Sequence, residues 1–206
     1  MSTAVAIALA GVLLGMSSPA PGHHDAGSRV DWRRSTALGT PGAGSLEHGV
    51  RFPAAGHHFF TWDPILHRQP DRDWRRWGTD DLVRATLRVL RQFARRHPHA
   101  PRIGVGDLSL RHGGYFGPEV GGGIGHDTHQ NGLDVDVYYP RTDRRERTPI
   151  TVDQVDVRLS QALVDLFVAA GAQTIYVGPN LPLSGPPGVV TALVNHDNHL
   201  HFRIAP

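Results

Sequence analysis

Hydrophobic and polar positions follow two periods along this chain, and each period marks a different kind of element. From Thr79 onward, Leu82, Ala85, Thr86, Val89, Leu90 and Phe93 recur at helical spacing, while Arg84, Arg88, Arg91 and Arg95 fill the opposite positions. That spacing predicts an amphipathic helix. Thr79 is placed to cap it, Asp80 and Asp81 lie where the helix dipole favours acid, and Pro98 stops it. A second helix is predicted over residues 152–171. Val155, Leu159, Leu163, Phe167 and Ala170 form its stripe, and Gly171 ends it.

The strands carry the shorter period. GLDVDVYYP, 132–140, sends Leu133, Val135 and Val137 one way and Asp134, Asp136 and Tyr138 the other. RIGVGDLSL (102–110), QTIYVG (173–178) and the short apolar run from Val189 to Val194 read as further strands. In the closing strand, Leu200, Phe202 and Ile204 face one side while His199, His201 and Arg203 face the other. Strands and helices alternate irregularly. The pattern therefore predicts an α+β fold, a small central antiparallel sheet flanked by helices and long loops.

Other stretches follow neither period. The run from Ala4 to Met16 is apolar but shorter than the roughly 20 residues that span a bilayer. It resembles a secretory signal cleaved near Ala20, although no basic residue precedes it. Residues 17–45, rich in Ser, Pro, Gly and Ala, read as a linker. The expected organisation is a signal peptide over 1–20, a linker over 21–44 and a domain over 45–206. Residues 49–77 read as loops whose aromatics, Phe59, Phe60, Trp62, Trp74 and Trp77, pack beneath them. The glycine-rich segment 112–127 lacks the Gly-Lys-Ser/Thr of a phosphate loop, and 141–148 is a charged loop.

Composition narrows the chemistry. With 206 residues, 39% of them hydrophobic, the chain can bury one sizeable core. Net charge is +2 and the isoelectric point about 9.5, because every basic residue is arginine. No basic helix or aromatic-basic alternation marks a nucleic-acid footprint. There is no cysteine. That excludes disulfides, a cysteine nucleophile, thiolate metal ligands and a lipidated cysteine anchor. Any metal must be held by nitrogen and oxygen.

Such ligands are concentrated in two places. GHDTHQNGLDVDV carries His126, His129, Asp134 and Asp136, and NHDNHLHFRI carries His196, His199 and His201. If the two strands are neighbours, imidazoles and carboxylates converge on one face of the sheet. Two or three histidines with a carboxylate suit zinc and leave one position for water. Calcium or magnesium would ask for more oxygen ligands. Spacing alone leaves the choice between Asp134 and Asp136 open.

HDTHQNGLDVDV followed downstream by HDNHLH resembles the penicillin-insensitive murein endopeptidases. These belong to a wider group of metallopeptidases with the lysostaphin-type enzymes, the D-Ala-D-Ala peptidases and the hedgehog signalling domain. The group's mark is H-x6-D plus a later H-x-H, met here by His129 to Asp136 and by His199-Leu200-His201. His126 and His196 occupy the narrower family's additional histidine positions, and Gly106 to Ser109 and Gly113-Gly114 also match its pattern.

The resemblance implies a zinc metallopeptidase domain that hydrolyses D-alanyl–diamino acid crosslinks of peptidoglycan with a metal-activated water. It implies His129, Asp136 and His201 as zinc ligands and His199 as the catalytic base. His126 and His196 would stand close by, His126 as an occasional further ligand. Asp134 would orient a liganding imidazole. Arg111 and His112 are weaker candidates for holding an oxyanion or a substrate carboxylate. Residues 137–195 contain no histidine, so one ion is expected rather than two. Crosslinked stem peptides would be the partner, with no nucleic acid and no membrane span, in an exported protein of the periplasm, the cell wall or the extracellular space. Two other functions fit the same residues: a D,D-carboxypeptidase or dipeptidase, and a non-catalytic wall-binding module with a structural zinc.

Overall fold

The structure is a computed structural model that describes Met1, residues 29–123 and residues 125–206. The expected signal peptide, apart from Met1, and the linker up to residue 28 lie outside the described residues. In chain order the elements are β1 (Thr36–Thr40), β2 (Ala43–Glu47), β3 (Val50–Arg51), β4 (Ala55–Gly56), β5 (Phe59–Thr61), β6 (Trp77–Gly78) and α1 (Asp80–Arg96). Then follow β7 (Ile103–Val105), α2 (Pro118–Gly121), β8 (Asp134–Tyr138), α3 (Val157–Ala169), β9 (Ala172–Val177), β10 (Val190–Ala192) and β11 (His199–Ile204).

The fold is α+β. A seven-stranded sheet runs β10-β9-β11-β8-β7-β5-β4. Its centre is antiparallel, as the alternating strands predict, but it is mixed: β5 with β7 and β10 with β9 pair in parallel. One face is apolar. Val135, Val137, Leu200 and Phe202 join Leu82, Val89 and Phe93 of α1 and Leu163 and Phe167 of α3 in one buried cluster. The Phe167 and Phe202 rings pack in a tilted arrangement with centroids 4.4 Å apart. The opposite face of β8 and β11 is left to polar side chains.

α1 forms where the period places it, and the Thr79 hydroxyl accepts the Leu82 amide at 3.2 Å. α3 starts five residues later than the stripe suggests. A 3-10 turn at Val152–Gln154 precedes it, and Asp156 caps it by accepting the Leu159 amide at 3.0 Å. Val155 is buried, though in extended backbone bridged to Arg141. The β1–β2 hairpin spans residues 36–47, so residues 36–44, expected to be linker, belong to it. The hairpin docks on the body through Gln130 N to Pro41 O (2.9 Å) and Gly114 N to Gly44 O (3.0 Å). Small residues look like a flexible arm, yet they also allow a two-residue turn and close approach.

Buried and half-buried arginines hold the long loops of this cysteine-free chain. Arg72 pairs with Asp63 at 2.6 Å, and Arg75 grips Asp107 with two nitrogens. Arg76 donates to the carbonyls of Asp71 and Phe52. Arg102 pairs with Glu146, and Arg141 with Asp143. Charge-assisted bonds of this kind are roughly twice as strong as neutral ones. No helix among the described residues is long and apolar enough to cross a membrane.

Asp71 is the costly member of this network. It is 1% exposed, and one carboxyl oxygen has no partner among the described residues. Burial, helped by the nearby Asp107 carboxylate, lifts its pKa to about 8. The folded state therefore keeps this proton from about pH 4 to pH 8, where the unfolded chain has lost it, and stability falls as pH rises through that window. Asp71→Asn removes the dependence. Urea unfolding at pH 5 and pH 8.5 is expected to show the variant gaining on the parent by up to a few kcal/mol at the higher pH. Equal gains at both values would show that Asp71 is ionised throughout.

Candidate metal centre

The site begins with strand register. β8 and β11 pair so that His201 lies opposite Asp136, Arg203 opposite Asp134 and His199 opposite Tyr138. Paired residues share a face, so all six point away from the helices. His129 reaches the same place from the turn before β8. It is fully buried with φ +66, a left-handed conformation that costs a non-glycine residue about 1–3 kcal/mol. Its amide donates to Asp134 Oδ2 at 3.2 Å. Beside this turn Gly113 has φ +66, and a Cβ there would collide with the Gln130 carbonyl, so only glycine fits.

Three ligand-type atoms converge. His129 Nε2 lies 3.3 Å from Asp136 Oδ1 and 3.2 Å from His201 Nδ1, and His201 Nδ1 lies 3.2 Å from Asp136 Oδ1. The outer ring nitrogens are committed elsewhere: His129 Nδ1–H donates to the Leu108 carbonyl, and His201 Nε2–H to Asp134 Oδ1 at 2.8 Å. Those bonds aim the inner nitrogens, His129 Nε2 and His201 Nδ1, at Asp136, where a metal ion would replace the second proton that His201 otherwise carries. A tetrahedral ion with bonds of about 2.0–2.1 Å places its ligand atoms about 3.3–3.4 Å apart. The triangle matches that spacing.

His126 adds a fourth ligand-type residue, the third to offer a nitrogen. With His129 and Asp136 it forms a group that could hold a metal ion, its ligand atoms all within 4.8 Å. Its Nε2 is bonded to Asp107 Oδ2 at 2.7 Å, and its Nδ1 stands 3.8 Å from Asp136 Oδ2. Burial works against charge throughout this cluster, and the pairs decide the outcome. Burial would raise Asp134, but the His201 bond and the facing cations hold it at about 2. Burial would lower His201, but Asp134 and Asp136 lift it to about 9. Asp136 likewise stays well below the usual carboxylate range against burial, held by His129 and His199.

His199 differs. Burial first, with His196 and His201 behind it, outweighs Asp136 and brings its pKa down to about 4. It is neutral at pH 7. Its Nδ1–H donates to Asn198 Oδ1 at 2.6 Å, so Nε2 keeps its lone pair, 3.7 Å from Asp136 Oδ1. The His196 ring lies 4.8 Å from that of His199, with its Nδ1–H on the Val194 carbonyl. These histidines, Asp136 and Tyr176 border a cleft of about 520 Å³. Arg111 instead lies over Trp77, and His112 takes the Leu46 amide on its carbonyl; neither lines the cleft.

Four supporting groups stand outside the candidates drawn from the sequence: the Leu108 carbonyl, Asp107, Arg75 and Asn198. Asp107 lies within the Gly106–Ser109 motif, which was a signal of importance but not of role. Arg75 is one of many arginines and carried no signal. Asp134→Asn is expected to weaken metal binding about 10–100-fold by freeing the His201 ring, while Asp153→Asn leaves it unchanged. Competitive zinc titration of folded protein measures this. Equal affinity in Asp134→Asn and the parent would mean that Asp134 does not orient His201.

The family model described as penicillin-insensitive murein endopeptidase matches residues 37–170. No curated protein matches the chain. The matched span contains His126, His129, Asp134 and Asp136 and stops short of β11. His199 and His201 are therefore joined to it by strand register rather than by the match. The matched part is well over half of the chain, and this protein belongs to the penicillin-insensitive murein endopeptidase family.

Proposed function

We propose that this protein is a zinc-dependent murein endopeptidase that hydrolyses the D-alanyl amide joining one stem peptide to the diamino acid of its neighbour. The observation that carries this reading is the triangle of His129 Nε2, Asp136 Oδ1 and His201 Nδ1 beside a neutral, oriented His199. One zinc held by those three atoms, with His126 within reach, accords with the nitrogen-rich donor set, which suits zinc better than calcium or magnesium. When bound, zinc supplies a Lewis acid and makes water acidic enough to ionise near neutrality.

The chain's own residues do the rest. His199 accepts a proton at Nε2 from the attacking water and passes it to the leaving amine. Asn198 keeps the proton on Nδ1 so that Nε2 is the basic atom. Asp134 and the Leu108 carbonyl hold the two ligand imidazoles in register. Asp107, itself gripped by Arg75, fixes His126. With no lysine in the chain there is no S-x-x-K serine centre for a β-lactam to acylate. The same reading has residues 1–20 direct export of a catalytic domain that includes the β1–β2 hairpin, and the protein then acts in the periplasm or the cell wall.

Mass spectrometry of dimeric muropeptides incubated with protein and zinc tests the reaction. Monomers are expected to appear, to vanish with a chelator, and to form about 10²–10⁴-fold more slowly with His199→Ala, which should keep its zinc. Release of D-alanine from intact dimers would make the enzyme a carboxypeptidase. Bound zinc without any cleavage would make it a wall-binding module.

A further inference from the structure

The polar face of the sheet continues past His199. Tyr138, its cross-strand partner, stands edge-on to the imidazole with centroids 6.2 Å apart. The next strand carries glycine where Tyr138 leans over it. A Cβ on Gly104 would lie 2.9 Å from the Phe60 ring and 3.2 Å from Tyr138 Cβ, and one on Gly106 would lie 3.1 Å from the Tyr138 phenol. The missing side chains let Tyr138 settle with Phe60 and Trp62 into a second apolar cluster. Beside that cluster lies a pocket of about 630 Å³, walled by Trp62, Tyr138, Pro149 and Ile150, with Arg147 and Asn198 at its edge. Asn198 also receives the His199 Nδ1–H. The pocket therefore begins just behind the catalytic imidazole, on the side away from the metal ligands.

Two of its donors are unanswered. On the same loop Arg141 and Arg145 pair with Asp143, and Arg144 donates to the His99 carbonyl. Arg147 has no carboxylate partner among the described residues, and its Nε is buried without an acceptor, as is Trp62 Nε1. Buried donors without acceptors are uncommon and call for an explanation. Apolar walls with an unpaired guanidinium complement an aliphatic chain that carries a carboxylate. The chemistry of the bond supplies the placement. His199 delivers its proton to the leaving amine, so the amine half of the substrate lies on the His199 side.

We propose that this pocket is the subsite for the amine half of the crosslink. Arg147 takes a carboxylate adjacent to the reacting amine, and Trp62, Pro149 and Ile150 hold the aliphatic chain. This rests on the endopeptidase reading and extends it. It makes Arg147 the residue that selects a diamino acid bearing such a carboxylate over one ending in a bare or amidated amine carbon.

Product binding tests the subsite without hydrolysis. Metal-loaded full-length protein is titrated calorimetrically with uncrosslinked stem peptides ending in the diamino acid, with that carboxylate either free or amidated. The parent is expected to prefer the free form by roughly tenfold or more. Arg147→Gln should erase the preference with unchanged zinc affinity, whereas Arg145→Gln, which removes the same charge nearby, should retain it. No preference in the parent, a preference kept in Arg147→Gln, or an equal loss in both variants would overturn the proposal. Dimer cleavage without any preference would sink the subsite alone; a preference without dimer cleavage would sink the endopeptidase reading and leave the subsite standing.

Discussion

Everything at this site depends on how β8 and β11 lie against each other. A shift of one residue would turn His199, His201 and Arg203 toward the helices and bring Leu200 and Phe202 to the cleft. What prevents it is on the other face. Val135, Val137, Leu200 and Phe202 are all buried against α1 and α3, and Phe202 packs against the Phe167 ring. The hydrophobic effect fixes the register, and the register then places His201 opposite Asp136 and Arg203 opposite Asp134. The core that stabilises the domain also aims its candidate ligands.

Register brings the groups together, but the layer behind them determines their protonation. Two imidazoles could each carry the proton on either nitrogen. Leu108 and Asp134 take the outer protons, which leaves the inner nitrogens facing Asp136, His201 keeping its second proton there until a metal ion would displace it. Asn198 does the reverse service for His199 by holding the proton on the nitrogen away from Asp136. Four histidines in one small volume thus hold different charge states for local reasons. The left-handed backbone at His129 is the conformational cost of delivering one of them from a loop.

The loops that carry this supporting layer are long, and there is no disulfide to hold them. Buried arginines take that part. Arg75 connects the 72–76 segment to Asp107, which in turn holds His126. Removing one partner of such a buried pair costs about 3–5 kcal/mol, because the other charge is left without compensation. The arrangement is strong but leaves Asp71 in a place where it is stable chiefly as the neutral acid.

Local periodicity was enough to place α1, to set the alternating faces of β8 and β11, and to gather the histidines and aspartates into two short segments. These are properties of a few consecutive residues, and a period reports which way each side chain points. It does not report which strand lies alongside. The parallel pairings, the docking of the hairpin at residues 36–47 and the late start of α3 came from contacts distant in sequence or from a single capping side chain. The same division holds in the site. Asp134 and Asp136 share a face and cannot be told apart by spacing; Arg203 and His201 Nε2 claim Asp134, while Asp136 meets His129 and His201 Nδ1. Arg75 and Asp107, far apart in sequence, are joined only by folding. Sequence by itself determined which side chains share a face, because that follows from backbone geometry. Only the tertiary structure decided which of them meet, because that follows from how the whole core packs.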